Sequence, residues 1–181
     1  MKITKIFKAL YGGMAVPVIL FITPAFSQTN PKLTDPEVAS VAVVANQIDI
    51  SYAEIAKKKS TDTEVLKFAQ TMINDHNAVI AQAAALVKKL GVTPKDNEVS
   101  KKLLADAEKT KKNLLAKSGE TFNKAYVDNE VAYHQAVINA VEGLLIPETD
   151  NAELKELLQN IVPALKAHLG HAEMLQKSMS K

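Results

Sequence analysis

The sequence predicts an all-α fold, a bundle of four long helices with a shorter helix in the crossover between the second and the third. Three observations lead there. Apolar residues are 47% of the chain while aromatics are 5% and Trp is absent, and Ala, Leu, Lys and Glu, all strong helix formers, dominate. Gly and Pro are few, six and seven. Apolar residues recur at helical spacing over long stretches that carry recognisable start and stop signals. At 181 residues the chain has the length of one domain able to bury a sizeable core.

Residues 1–27 read as a secretory signal. Lys2, Lys5 and Lys8 form a positive n-region, Ala9 to Thr23 a mostly apolar h-region, and Pro24, Ala25 and Ser27 a break with small residues ahead of Gln28. The apolar run, about 15 residues interrupted by Gly12, Gly13 and Pro17, is short of the roughly 20 that span a bilayer. Residues 28–181 are then the single mature domain, exported to the periplasm or cell envelope and not stably inserted in a membrane. Without the three leader lysines, 19 of the 22 basic residues remain against 20 acidic ones, so the mature chain is close to neutral. Arg, the side chain best suited to bidentate phosphate contacts, is absent throughout, which argues against nucleic-acid binding. Cys is absent too, which excludes disulfides and lipid attachment at an N-terminal cysteine.

Pro36 suits a first helical turn capped by Asp35 or Thr34, and the first helix runs to about Lys59. Its apolar face (Val38, Val41, Ala42, Ala45, Ile48, Tyr52, Ile55, Ala56) includes Asp49. Ser60 and Thr61 link it tightly to the second helix, so these two are antiparallel neighbours. Thr61 with Glu64 is a capping-box pattern and Gly91 a C-terminal stop. Between them Val65, Phe68, Ala69, Met72, Ile73, His76, Ile80 and Ala83 form one stripe. After a loop at Pro94, a Lys-rich helix covers about Glu98 to Lys117, its lysines forming a solvated face. The third bundle helix, about Glu120 to Leu145, carries Phe122, Tyr126, Tyr133, Val137 and Val141 inward, with Glu130 and His134 on the same broad face. The last, about Ala152 to Lys177, has Leu154, Leu158, Ile161, Leu165, His168 and Ala172 as its stripe and Pro163 inside it, where a kink is expected. Two short hairpins and one long crossover match the connectivity of ferritin-like bundles.

Each long helix thus places one metal-competent group on or beside its buried stripe: Asp49, His76, His134 and His168. Imidazoles with a carboxylate suit Zn, Cu or Fe. Glu130, one turn before His134, is a possible fifth ligand. Asp75 and Glu173 fall elsewhere by helical phase and can act only at the edge, and His171 sits at the stripe's margin. A ferritin-like di-iron site requires Glu-x-x-His on two helices. The residues three before the histidines are Ile73, Val131 and Leu165, so a dinuclear oxidase is disfavoured. A buried Asp49–His pair completed by Tyr52, Tyr126 or Tyr133 is the competing, metal-free account of the same residues.

The stretches DISYAEIA, VLKFAQTMINDH, FNKAYVDNEVAYHQ and IVPALKAHLGHA, in that order, resemble the bacterial envelope family called domain of unknown function 4142, often labelled an outer-membrane protein. The resemblance covers about Asp35 to Leu175 and implies a ferritin-like helical bundle in an exported protein, with no established reaction. The family usually has Glu where this chain has Asp49, and commonly Gln where it has Glu130. The outer-membrane label has no counterpart here, neither strand alternation for a barrel nor a lipid-bearing Cys.

The pattern fits first a non-catalytic periplasmic bundle protein that holds one transition-metal ion (Zn, Cu or Fe) through His76, His134, His168 and Asp49. A metal-dependent oxidoreductase with an open coordination position would use the same residues. An interaction module without metal, whose Lys-rich helix meets an anionic envelope component, or which forms a homo-oligomer, is the third class. No Ser-His-Asp arrangement, Gly-rich phosphate loop or Cys nucleophile points to hydrolase or nucleotide chemistry.

Overall fold

The computed structural model describes residues 32–180, and among them every regular element is helical. The expected signal segment, residues 1–27, lies outside the described residues. Helix α1 spans Asp35–Lys59, α2 Thr63–Leu90, α3 Glu98–Leu115 and α4 Gly119–Ala140. A π-helical turn, Val141–Leu145, and the short α5, Ile146–Glu148, continue α4, and α6 spans Ala152–Ser178. Helices α1 and α2 pack as one antiparallel hairpin, α4 and α6 as the other, α2 meets α6, and the crossover helix α3 lies along α1.

The helix ends follow the sequence signals with one shift. Asp62, not Thr61, caps α2: its Oδ1 accepts the backbone N–H groups of Glu64 at 2.9 Å and Val65 at 3.0 Å. A charged carboxylate also complements the positive end of the helix dipole, which a Thr hydroxyl one residue earlier does not. Asp62→Ala is expected to lower stability by about 1 kcal/mol, seen as a lower urea midpoint at unchanged m-value. Gly91 ends α2 in the left-handed conformation, φ 63°, with its N–H on the last turn. Helix α6 continues through Pro163.

The third bundle helix does not stay α-helical to Leu145, as the periodicity alone suggests. Ile146 N–H bonds to the carbonyl of Val141, closing the wider turn. Pro147 has no N–H to return to Gly143, so an α-helical ladder could not be completed there. Asp35 then clasps the following loop, its two oxygens accepting the N–H groups of Asp150 and Asn151 at 2.9 and 3.0 Å.

Two apolar clusters fill the bundle. One holds Tyr52, Phe68, Met72, Phe122, Tyr126 and Ala172, the other Val38, Val41, Ile138, Leu158 and Leu165. They meet at mid-height, where His76 follows Met72 on α2 and His168 lies between Leu165 and Ala172 on α6. On α4, His134 lies between Val131 and Val137, which flank the two clusters. A layer of buried polar side chains thus separates two layers of hydrocarbon. No described helix is long and apolar enough to cross a membrane.

Candidate metal centre

Each helix delivers its group through the phase that buries its apolar stripe. On α1, Asn46 and Asp49 are three apart and face inward together. On α4, Glu130 and His134 are one turn apart on the inner face. His76 and His168 take the inward positions of α2 and α6. Asp49 and Glu130 are both 0% exposed, and the three histidines are buried. The ring centroids of His76, His134 and His168 are 5.3 to 5.7 Å apart, a triangle of imidazoles across three helices. The five residues named from the sequence fall into two groups that share His134, and the shorter side chain of Asp49 does reach two of the histidines: its Oδ2 is 3.5 Å from His76 Nε2 and 3.6 Å from His134 Nε2. Glu130 Oε2 is 3.6 Å from His134 Nδ1.

The far side of each imidazole is held by an acceptor, which decides where its proton sits. His76 Nδ1–H donates to Asn46 Oδ1 at 2.7 Å, and Asn46 is itself oriented by donating from Nδ2 to the Ala42 carbonyl at 2.8 Å. His134 Nδ1–H donates to the Glu130 carbonyl at 3.0 Å. His168 Nε2–H donates to Asp75 Oδ2, also at 3.0 Å. Since a neutral ring carries one proton, His76 Nε2 and His134 Nε2 are bare lone pairs, and His168 Nδ1 is buried without a partner. Those nitrogens and both carboxylate oxygens of Asp49 and Glu130 have no hydrogen-bond partner. They fall into two groups, His76–His134–His168 and Asp49–Glu130–His134, and within each the ligand atoms lie within 4.8 Å of one another.

Burial sets the charge states. Desolvation, reinforced by the neighbouring histidines, lowers His76 to about 3, and desolvation with His168 lowers His134 to about 4, so both rings are neutral near pH 7. Burial pushes the Asp49 carboxyl up to about 8, and burial with the nearby Asp49 raises Glu130 well above the usual carboxylate range. A protonated carboxyl could donate to a bare nitrogen, but 3.5–3.6 Å is too long for such a bond.

Asn46 has no mark in the sequence that sets it apart. On an Ala- and Val-rich helix its amide reads as one more polar residue, and only its phase, three before Asp49, places it inside. Asp75 holds the edge position expected of it, half exposed and bonded to His168. His171 lies away from the centre with its ring edge-on to Phe68 at 5.0 Å, and Glu173 is exposed. The tyrosines do not complete a polar network around the histidines. Tyr133 donates to the Ala45 carbonyl at 2.8 Å, and the buried Tyr126 hydroxyl has no partner. Asn46→Leu, which removes the acceptor behind His76, is expected to weaken binding of an ion about 10–100-fold, and Asn46→Asp to restore most of it; equilibrium dialysis measures both.

Comparison with known proteins adds a family and a fold. A family profile described as Domain of unknown function (DUF4142) matches residues 22–175. Among curated proteins there is no match. The solved structure titled "CopM in the Cu(II)-bound form" is similar with a TM-score of 0.59 and 18% identity, over 81% of this chain and 98% of that one. At that identity the likeness is one of fold.

Proposed function

This chain belongs to the family described as Domain of unknown function (DUF4142), a description that carries no activity, and we propose from the geometry of its core that it is a metal-binding bundle protein holding one transition-metal ion. The observation that carries this is the convergence of three imidazole nitrogens and two carboxyl groups with no hydrogen bond among them. An unmet buried polar group costs about 1–3 kcal/mol, and several together rival a total stability of roughly 5–15 kcal/mol. A cation held by either group satisfies the members of that group together. A metal-free polar network would need hydrogen bonds at these atoms, and Asp49 Oδ2 stands 3.5 to 3.6 Å from the His76 and His134 Nε2 atoms, too far for a good one.

His134 belongs to both groups but offers only Nε2, because its Nδ1 is bonded to the Glu130 carbonyl. The two groups therefore compete for one ion rather than define two separate sites. His76, His134 and His168 supply nitrogen; Asp49 and Glu130 supply oxygen and negative charge. Asn46, Asp75 and the Glu130 carbonyl orient the rings, as acceptors behind histidine ligands do in metal sites. This donor set suits Cu(II), Zn(II) and iron, and Cu(II) binds most tightly in the general order of divalent affinities. That the similar-fold structure was solved with Cu(II) makes copper the first ion to test. Export of the protein is part of the proposal, resting on residues 1–27.

The test is electron paramagnetic resonance of the purified, untagged protein with one equivalent of Cu(II). Hyperfine coupling to imidazole nitrogens, reduced in His76→Gln and His168→Gln variants, is the expected result. A spectrum unchanged by these substitutions would place the copper elsewhere and overturn the proposal.

A further inference from the structure

Beside the centre lies a cavity of about 300 Å³, enclosed by α1, α3, α4, the π-helical turn and α6. It is at the lower end of small-molecule sites, roughly 300–1,000 Å³, and about twice an engineered cavity that takes benzene, roughly 150 Å³. Val41, Ala42, Ala45, Val137, Ala140 and Leu165 are among its apolar walls. The space exists because alanines stand where a bundle would ordinarily interdigitate larger side chains: Ala42 and Ala45 on α1, and Ala132, Ala136 and Ala140 at one-turn intervals on α4. Ala132 and Ala136 are exposed, so the cavity reaches the surface beside α4, with Thr110 of α3 also in its lining.

Its inner end is different in kind. Asp49, His76 and His134 line it, and the oxygens of Asp49 and the Nε2 atoms of both rings are buried and unpartnered. An ion at the centre would thus face the cavity. From Asp49 to Val41 along α1 is eight residues, or roughly 12 Å at 1.5 Å per residue, so the space suits an elongated molecule. The lining includes Asp49 and Asp106 and no Lys, so a buried anion there would find no side-chain counter-charge.

We infer that the cavity holds an apolar molecule with one uncharged oxygen head, of the class of medium-chain alcohols, its head at the Asp49–His76–His134 end and its chain along Val41 and Ala140. The head's placement rests on the metal-binding proposal; the chain's rests on the cavity alone.

The test titrates n-octanol, with octanoate and n-octane as controls, into the Cu(II)-loaded protein and follows the visible d–d band together with binding by calorimetry. Octanol is expected to bind and shift the band, octane to bind without shifting it, and octanoate to bind at least about tenfold more weakly than octanol because it buries a charge. Ala140→Leu, which fills the chain's path, should weaken octanol about tenfold or more at unchanged copper stoichiometry. Ala136→Leu at the exposed mouth is the second variant should Ala140→Leu fold poorly. Copper-loaded protein that binds octanol without a shift of the band, prefers octanoate, or binds octanol equally well in both variants overturns the inference and leaves the metal site standing. Failure to take up copper at all overturns the metal proposal itself, and the head assignment with it.

Discussion

His134→Gln is expected to abolish stoichiometric ion binding, because His134 is the one residue common to both groups of candidate ligands. The loss in affinity should exceed about 100-fold, the upper end of what removing a mere hydrogen-bond partner behind a ligand costs. His168→Gln removes a member of one group only and should cost less. Gln keeps most of the volume of the imidazole, and in the ion-free protein His134 Nε2 has no hydrogen bond to lose. The ion-free variant should therefore melt within a few degrees of the ion-free parent, while the ion-loaded pair diverges. Calorimetric titration with Cu(II) and thermal melts with and without a chelator separate the two quantities.

Saturation with the ion is expected to raise Tm by roughly 8–16 °C, and to do so more at pH 8 than at pH 6. A ligand at a thousandfold its Kd stabilises the native state by about 4 kcal/mol, and a domain of this size gains about 2–4 °C per kcal/mol. The pH dependence follows from opposite shifts. Asp49, raised by burial to about 8, stabilises the ion-free fold fully below the ordinary value of 3.8, and that contribution is lost as pH rises through about 8. His76 and His134, lowered by burial to about 3 and about 4, contribute stability present above 6.5 and lost as pH falls from 6.5 towards those values. The ion-free protein therefore weakens between pH 6.5 and 8, where its folded state holds carboxyl protons that the unfolded chain has released. An ion displaces those protons from Asp49 and Glu130 but meets already neutral histidines, so its affinity climbs with pH across the same window. Melts in chelator and in Cu(II) at the two pH values give the difference directly. A larger shift at pH 6 would contradict the assigned protonation states.

Much of this architecture is legible in the chain because helices announce themselves by period and punctuation. Gly91 stops α2 at the residue read from sequence, and the inward phase of Asp49, His76, Glu130, His134 and His168 follows from the apolar stripes that flank them. What periodicity cannot supply is relative height and partner identity. That His134 sits in two groups while His76 and His168 sit in one depends on how far each helix slides along its neighbour, which no single helix encodes. Asn46 is invisible for a similar reason: its role is defined by the His76 ring across the hairpin, not by its neighbours on α1. The shift of the α2 cap from Thr61 to Asp62 reflects two competent residues in succession, between which the charged one prevails. The cavity lies in the alanines, which read simply as good helix formers, and becomes a space only when α1, α3 and α4 are set side by side.

Native mass spectrometry of the untagged protein, dialysed after exposure to Cu(II), tests the central claim most directly. One tightly held copper per chain, absent from the His134→Gln variant, is the predicted result. A folded parent protein that emerges from dialysis without an ion would contradict it, and would leave the buried histidines and carboxylates as a polar layer without a metal.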